Sequence, residues 1–440
     1  MKLSVIGLGK LGSPLAAVLA NGGHNVIGYD INSNFVDSII NKKAPVDEPL
    51  LQQYLESAKE KLTATDNIAE AIENSEISFI IVPTPSELSG NFSLEFIKSA
   101  IEQLAPVLQA KQDKHIISIT STVLPGSCDN EIIPLIEKLT GKQIGCELGL
   151  AYNPEFIALG NVINDLENPD LVLIGQSERW VGDQIREVWE QVIKNSATIL
   201  QMNLVEAEMV KISINTFVTT KISFANLIGE ICESLDNCSV DEVCSAISTD
   251  SRIGAKYFRG ATPYGGPCFP RDNLALSYLA NSLGITADIA NATERINSRQ
   301  IKRIIKTINS VANPHSKIAV LGLAYKPNTP VIENSAGINL CKELINLDYQ
   351  IGAHDFHAVA AAESSLGSDI LLSSNLTDIL DQADIIVIMT PTDEYKKVAS
   401  EINKVNASNG KAIFIIDCWG IVEDQFQGKN IELRRLGIKY

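Results

Sequence analysis

Apolar and polar positions along this chain alternate between two periods. Leu3 to Gly7 is a short run of β type, Ser13 to Asn21 has helical spacing, and Asn25 to Asp30 is a second β run. Further short apolar runs at Ile77 to Val82, His115 to Ile119, Cys146 to Ala151 and Leu171 to Ile174 have helical patterns between most of them. Such alternation predicts a parallel sheet covered on both faces. From Val205 to about Leu235 the pattern becomes one long, mostly apolar helix, broken by no proline and by no glycine except Gly229. A Gly/Pro-rich loop spans Gly260 to Pro270, followed by helices over Asn273 to Leu283 and Ala287 to about Val311. Asn313-Pro314-His315-Ser316 reads as a boundary. Lys317 to Leu323 then opens a second βα succession, with strands at Gln350 to His354, Ile385 to Met389 and Ala412 to Ile416.

The predicted fold class is α/β: two Rossmann-like doubly wound domains joined by a central long helix and a helical dimerisation domain, divided as 1–203, 204–312 and 313–440. The two α/β parts share no obvious sequence repeat, so the expected likeness is one of architecture only. An apolar spine this long needs more cover than one domain provides, which predicts a homodimer built on it.

Composition narrows the function. At 440 residues the chain has room for about three domains. Its 45% apolar and 20% charged residues are ordinary for a globular protein and leave no place for disorder or low complexity. Lys and Arg number 36 against 53 Asp and Glu, a net charge of −17. That field repels nucleic-acid backbones but leaves space for a local basic pocket holding one small phosphorylated ligand. No apolar run approaches the roughly 20 residues of a membrane span. Leu3 to Ala20 behind Lys2 superficially resembles a signal peptide, but Gly7, Gly9, Lys10 and Gly12 interrupt it, and it reads as mature structure. The eight cysteines form no CxxC pair, which argues against a metal site or a disulfide framework and points to a reducing cytoplasm.

Gly7-Leu8-Gly9-Lys10-Leu11-Gly12 lies between strand and helix, where glycines permit a tight turn and let the backbone approach a pyrophosphate at a helix N-terminus. Alone the pattern is also that of a simple glycine turn. Its flanking elements and Asp30 at the end of the next strand add weight, since that carboxylate can accept from both ribose hydroxyls and repels a 2′-phosphate. NAD is therefore expected over NADP. A later strand runs into Val82-Pro83-Thr84-Pro85 at the carboxyl end of the sheet, where a ligand is expected, although a plain strand-ending proline pair fits as well.

Tyr264-Gly265-Gly266-Pro267-Cys268-Phe269-Pro270-Arg271-Asp272 places one cysteine between a glycine pair and the start of a helix, a setting that favours a thiolate, with Asp272 four residues on. A buried inert thiol is the usual fate of a cysteine, but such a loop is a poor place for a core residue. The other seven cysteines read as structural. Lys211 and Asn215 are spaced i,i+4 on the long helix among apolar neighbours. Considered alone the lysine is equally a surface residue with a buried stem; beside an amide and a candidate cysteine the pair suits oxyanion or proton handling.

With these residues, Val46-Asp47-Glu48-Pro49-Leu50, Ser121-Thr122-Val123-Leu124-Pro125-Gly126, Asn153-Pro154-Glu155-Phe156, Phe224-Ala225-Asn226, Arg252-Ile253-Gly254 and Gly322-Leu323-Ala324-Tyr325-Lys326-Pro327, nearly the whole chain resembles the UDP-glucose/GDP-mannose dehydrogenase family of nucleotide-sugar 6-dehydrogenases. The resemblance implies oxidation of a sugar C6 hydroxyl to a carboxylate with two NAD and one water, without release of the aldehyde. It implies a nucleophilic Cys268 passing through a thiohemiacetal and a thioester, Lys211 and Asn215 stabilising charge on the C6 oxygen, Asp272 and Thr122 holding a relay water, and Glu155 as the base in hydrolysis. NAD would lie on Gly7, Gly9, Leu11, Gly12, Asp30, Thr84, Pro85 and Thr122. The nucleotide sugar would meet Phe156, Lys211, Asn215, Tyr257, Arg259, Gly265 and Lys326, with Arg252 reaching the phosphates of a partner subunit. UDP-glucose is the first expectation, ahead of UDP-N-acetylhexosamine and GDP-mannose.

Some positions depart from the family pattern. Leu159 stands where a second carboxylate is usual, Glu333 where an arginine often meets the cofactor, Asp417-Cys418-Trp419-Gly420 in place of Asp-x-Arg-Asn, and Thr390-Pro391-Thr392 in place of Thr-Glu-Trp. Leu159 and Glu333 are read as the joint loss of one Glu–Arg interaction. Two other readings compete: a β-hydroxyacid or 6-phosphogluconate type of enzyme, which transfers one hydride and needs no cysteine, and a silent sugar-nucleotide binding protein. Cys268 and the second α/β domain speak against the first, and the retention of Cys268 and Lys211 against the second.

Overall fold

A computed structural model describes residues 1–313, 315–367, 370–381, 383–398, 400–402, 413–423 and 431–440. Pro314 of the expected boundary and Ala412 at the head of an expected strand lie outside the described residues. The chain forms two compact units, 1–213 and 214–440, and the division falls within the long helix Leu204–Cys232.

The first unit holds one eight-stranded sheet. Its strands are β1 (Lys2–Ile6), β2 (Asn25–Tyr29), β3 (Leu62–Thr65), β4 (Ile77–Ile80), β5 (His115–Ile119), β6 (Leu148–Tyr152), β7 (Leu171–Gln176) and β8 (Thr198–Asn203), in spatial order β3-β2-β1-β4-β5-β6-β7-β8. Every residue of β4, β5 and β6 is buried, as their unbroken apolar runs predict for strands covered on both faces. Alternation then sorts the side chains into two cores. Val5 and Phe79 face one with Leu15, Leu19 and Trp189, while Ile6 and Ile80 face the other with Ile101, Ile117 and Leu150. One pair departs from the expected parallel arrangement: β7 runs antiparallel to β6 through Ala151, Tyr152, Gly175 and Gln176. The connection carries only the six-residue helix Val162–Glu167, and β7 starts at the end of the sheet where β6 finishes.

The second unit contains the remainder of the long helix, the helices Val240–Ser248, Phe269–Ser282 and Asp288–Asn309, and a six-stranded sheet. Its strands are β9 (Lys317–Leu321), β10 (Gln350–His354), β11 (Leu371–Ser373), β12 (Ile385–Ile388), β13 (Ile413–Asp417) and β14 (Ile431–Arg435), all parallel, in the order β11-β10-β9-β12-β13-β14. This is the doubly wound order of a dinucleotide fold. Val320 and Val387 face one core, and Leu321 and Ile388 the other.

The helix after the Gly/Pro loop begins at Phe269, four residues ahead of expectation. Pro270 explains the shift, because proline fits the first helical turn, where its missing N–H leaves no bond unmade. No helix among the described residues is long and apolar enough to cross a membrane.

Candidate active site

In the first unit the chain leaves β1 at Gly7, whose φ of +103° no ordinary side chain adopts readily. Gly12 heads the following helix so close to it that a Cβ there would lie 1.8 Å from the Gly7 carbonyl oxygen. A Cβ on Gly9, by contrast, would meet nothing within 4 Å. The turn is thus tight where it packs and open at its middle, as a backbone cradle for a pyrophosphate must be. The Leu8 N–H donates to Asp30 Oδ2 at 2.6 Å and the Asn32 N–H to Asp30 Oδ1 at 2.8 Å. Asp30 stays half-buried, and each oxygen keeps a lone pair for a ribose hydroxyl. These residues fit NAD.

At the carboxyl ends of β4 and β5, Ser121 Oγ accepts from the Val82 N–H at 2.9 Å and donates to the Val82 carbonyl at 2.7 Å, while Thr84 Oγ1 donates to the Thr122 carbonyl at 2.8 Å. The two loops expected to meet the cofactor are therefore one hydrogen-bonded structure, extended by the Ser93 N–H on the Pro85 carbonyl at 2.8 Å.

Two carboxylates missed at the sequence level hold this region. Glu208, fully buried on the long helix, accepts from the Gly126 and Cys128 N–H groups at 2.6 and 2.8 Å and so ties the Thr122 loop to the helix that carries Lys211. Burial pushes its pKa up, and those two N–H groups oppose the shift. Glu48 accepts from the Gly160 and Val162 N–H groups at 2.9 and 2.7 Å, fixing the far end of the loop that starts at Glu155. Neither carries a spacing signal, although Glu48 lies inside a quoted motif and Glu208 stands three residues before Lys211 on the same helical face.

Lys211 is buried; its Nζ donates to the Glu155 carbonyl and lies 4.6 Å from the centre of the Phe156 ring. Glu155 Oε1 is buried without a hydrogen-bond partner. Burial raises its pKa to about 8 against the opposing pull of Lys211, so the carboxyl is neutral at pH 7. Leu159, which departs from the family pattern of a second carboxylate, packs partly buried against the core that contains Leu15.

In the second unit Cys268 is exposed and caps the helix Phe269–Ser282. The Asp272 N–H donates to the Cys268 carbonyl at 2.8 Å, and buried Asp272 accepts from Asn215 Nδ2 at 2.6 Å. Gly265 admits no side chain, since a Cβ would lie 2.1 Å from the Asn334 carbonyl oxygen. Next to it the Gly266 N–H donates to the Glu333 carbonyl at 3.0 Å. Glu333 thus serves the cysteine loop with its backbone while its side chain is exposed. Tyr325 lies alongside; burial first, then the charges of Cys268 and Tyr257, push its phenol up to about 12.

Among the expected substrate residues, exposed Tyr257 holds a φ of +61° and meets Phe269 edge-on at 5.9 Å. Lys326 Nζ lies 5.9 Å from the Tyr325 ring centre. Arg259 donates to the Trp419 carbonyl and, at 3.3 Å, to that of Gly420. Arg252 joins neither grouping: its guanidinium is exposed on Asp250 at 2.6 Å. The altered segment at 417–420 is a built turn, in which Asp417 accepts from the N–H groups of Trp419, Gly420, Ile421 and Val422 at 2.6 to 2.9 Å.

Comparison with known proteins matches three consecutive family models of the UDP-glucose/GDP-mannose dehydrogenase family: the NAD binding domain over residues 1–193, the central domain over 205–299 and the UDP binding domain over 319–424. A GDP-mannose 6-dehydrogenase of Pseudomonas putida is 34% identical over 91% of this chain and 93% of its own. A UDP-glucose 6-dehydrogenase of Haloferax volcanii is 31% identical over 100% of this chain and 99% of its own. A solved UDP-glucose dehydrogenase of Pyrobaculum islandicum has a TM-score of 0.87 at 28% identity, covering 98% of this chain and 96% of that one.

Proposed function

The chain belongs to the UDP-glucose/GDP-mannose dehydrogenase family, and we propose that it oxidises the C6 hydroxyl of UDP-glucose to the carboxylate of UDP-glucuronate. The observation that carries the chemistry is an exposed thiol at the head of a helix with buried Asp272, hydrogen-bonded to Asn215, one turn inside it. The Gly7–Gly12 turn, Asp30, Thr84, Pro85 and Thr122 would hold NAD, and two molecules bound in turn would each supply one hydride acceptor, one for each oxidation.

The chain's own residues do the rest. Lys211 and Asn215 stabilise negative charge on the C6 oxygen as the first proton leaves. Cys268 Sγ attacks the C6 aldehyde carbon, giving a thiohemiacetal, and loss of a second hydride from C6 leaves a thioester. Thr122 and Asp272 hold the water that relays the proton. Hydrolysis breaks the C6–Sγ bond, returns the thiol and forms the carboxylate, with Glu155 as base. A carboxyl neutral up to about pH 8 supplies that base in growing amount as the pH rises.

The nucleotide sugar is placed by Phe156, Tyr257, Arg259, Gly265 and Lys326, and Arg252 serves the partner's phosphates in a homodimer. Phe217, Phe224 and Ile231, exposed at two-turn intervals along the long helix, support pairing of two such helices. No disulfide joins any of the eight cysteines, all of them among the described residues, which suits the cytoplasm. UDP-glucose is favoured by the full-length similarity to the H. volcanii enzyme and the high TM-score of the P. islandicum structure. The identity to the P. putida enzyme favours GDP-mannose as the second reading. NADH formation with UDP-glucose, UDP-N-acetylglucosamine, UDP-N-acetylmannosamine and GDP-mannose separates them. The highest kcat/KM is expected for UDP-glucose; a higher value for GDP-mannose replaces the first reading with the second.

A further inference from the structure

We infer that Cys232 and Cys238 are the two halves of a reversible disulfide at the end of the long helix, a modification site independent of the substrate reading above. Cys232 is the last residue of that helix, and its carbonyl accepts from the Leu235 N–H at 3.1 Å as the chain begins to turn. Asn237, at a φ of +56°, brings the chain back, and Cys238 Sγ arrives 3.2 Å from Cys232 Sγ. A disulfide bond is about 2 Å long, so a small rotation of the two side chains closes the gap.

The chain next to each cysteine is fixed, by Glu233 after Cys232 and by Ser239 and Val240 after Cys238. Ser239 bridges to Ile438, the Val240 N–H donates to the Gly437 carbonyl at 3.1 Å, and the Gly437 N–H donates to Glu233 Oε1 at 2.8 Å. The two thiols are therefore held together by the fold and do not depend on a chance encounter of mobile segments. Their exposure differs in a useful way. Cys238 is half-buried and open to a small reagent, whereas Cys232 is buried with Ala225, Val240, Cys244 and Phe258.

The reaction needs a low-molecular-weight disulfide as oxidant. Cys238, as thiolate, attacks one sulfur of that reagent; the reagent's S–S bond breaks, a mixed disulfide forms and one small thiolate leaves. Cys232 gives its proton to solvent and attacks Cys238 Sγ, expelling the second small thiolate. The protein loses two electrons and two protons, and the reagent gains both. Burial, and then Cys238 beside it, push the Cys232 thiol up to about 11, so this second step quickens as the pH rises. Cys268 takes no part.

The test uses the full-length protein treated with glutathione disulfide, alkylated and cut after glutamate, which separates Cys232, Cys238 and Cys244 by cleavage at Glu233 and Glu242. The expected product is a Cys232–Cys238 linked peptide pair, with two of the eight thiols lost and restored by dithiothreitol. In Cys238→Ser, Cys232 should remain a free thiol under the same treatment. A glutathione adduct that stays on Cys238, a Cys232–Cys244 link, or oxidation confined to Cys268 and Cys146 would each overturn the inference.

Discussion

In the first unit β1 ends at Gly7 with φ +103°, and Gly12 heads the next helix within 1.8 Å, measured from an added Cβ, of the Gly7 carbonyl oxygen. In the second unit β9 runs into Gly322 with φ +101°, and an added Cβ on Gly337, in the helix Ala336–Asn346, would lie 2.0 Å from the Gly322 carbonyl oxygen. Each turn is also held by an aspartate after the second strand of its sheet: Asp30 takes the Leu8 N–H, and Asp355 the N–H groups of Leu323 and Ala324. What differs is the chain between the glycines. In the first unit it is a bare turn with an open Gly9 at its middle. In the second it is a long loop that carries Tyr325, Lys326, Glu333 and Asn334 and holds the cysteine segment through Gly266. The aspartates differ in the same sense: Asp355 is buried and also accepts from His357 and Ala358, so four backbone N–H groups use its oxygens. One device serves ligand binding where it is left open and loop anchoring where it is filled.

Adding a methyl group at the close contacts should have the largest effect. Gly12→Ala and Gly337→Ala each force a backbone shift, and each should cost about 3 kcal/mol or more. Gly12→Ala is expected to abolish NAD binding. Gly337→Ala is expected to leave NAD binding measurable and to weaken sugar-nucleotide binding, as isothermal titration of each ligand will report. Next come the aspartates. Asp30→Asn should lower NAD affinity by about tenfold or more, the loss of roughly one charge-assisted hydrogen bond, with little change in Tm. Asp355→Asn should lower Tm and leave NAD affinity near wild type. Equal effects of the two substitutions on both quantities would erase the distinction between open and filled turns.

A third carboxyl sharpens the comparison, because Glu155 Oε1 is buried with no hydrogen-bond partner. Hydrolysis-limited turnover should rise with pH through about 8 and lose that limb in Glu155→Gln. Stability should move the other way. The folded state keeps this proton up to about pH 8, while the unfolded chain releases it near the ordinary glutamate value of about 4.3. The contribution is therefore complete below that ordinary value and is lost as pH rises towards 8. Urea unfolding of Glu155→Gln across that window should lack the slope. The smallest effect concerns Glu333 in the long loop: Glu333→Arg alone should weaken NAD binding more than Glu333→Arg combined with Leu159→Glu. Equal affinity in wild type and both variants would remove the idea that the two positions changed together.

Much of this architecture is legible in the apolar runs. Strands buried on both faces, such as β4 and β5, and the glycine turn with Asp30 follow from residues adjacent in sequence. The short edge strands β3 and β11 and the half-exposed β8 were not anticipated, because an edge strand needs no continuous apolar run. Glu48 and Glu208 were missed for a different reason: each bonds to backbone N–H groups far along the chain, and any residue can supply those. The 417–420 segment reads as a lost motif, whereas Asp417 there closes a turn on four nearby backbone N–H groups, which any residue can supply.

The most direct test of the proposed mechanism is the number of NADH formed per UDP-glucose consumed, measured for wild type and Cys268→Ser. Two NADH per sugar in wild type, with the variant stalled after the first oxidation, is the predicted result. One NADH per sugar in wild type, or a variant that still completes both oxidations, would contradict the thioester route through Cys268.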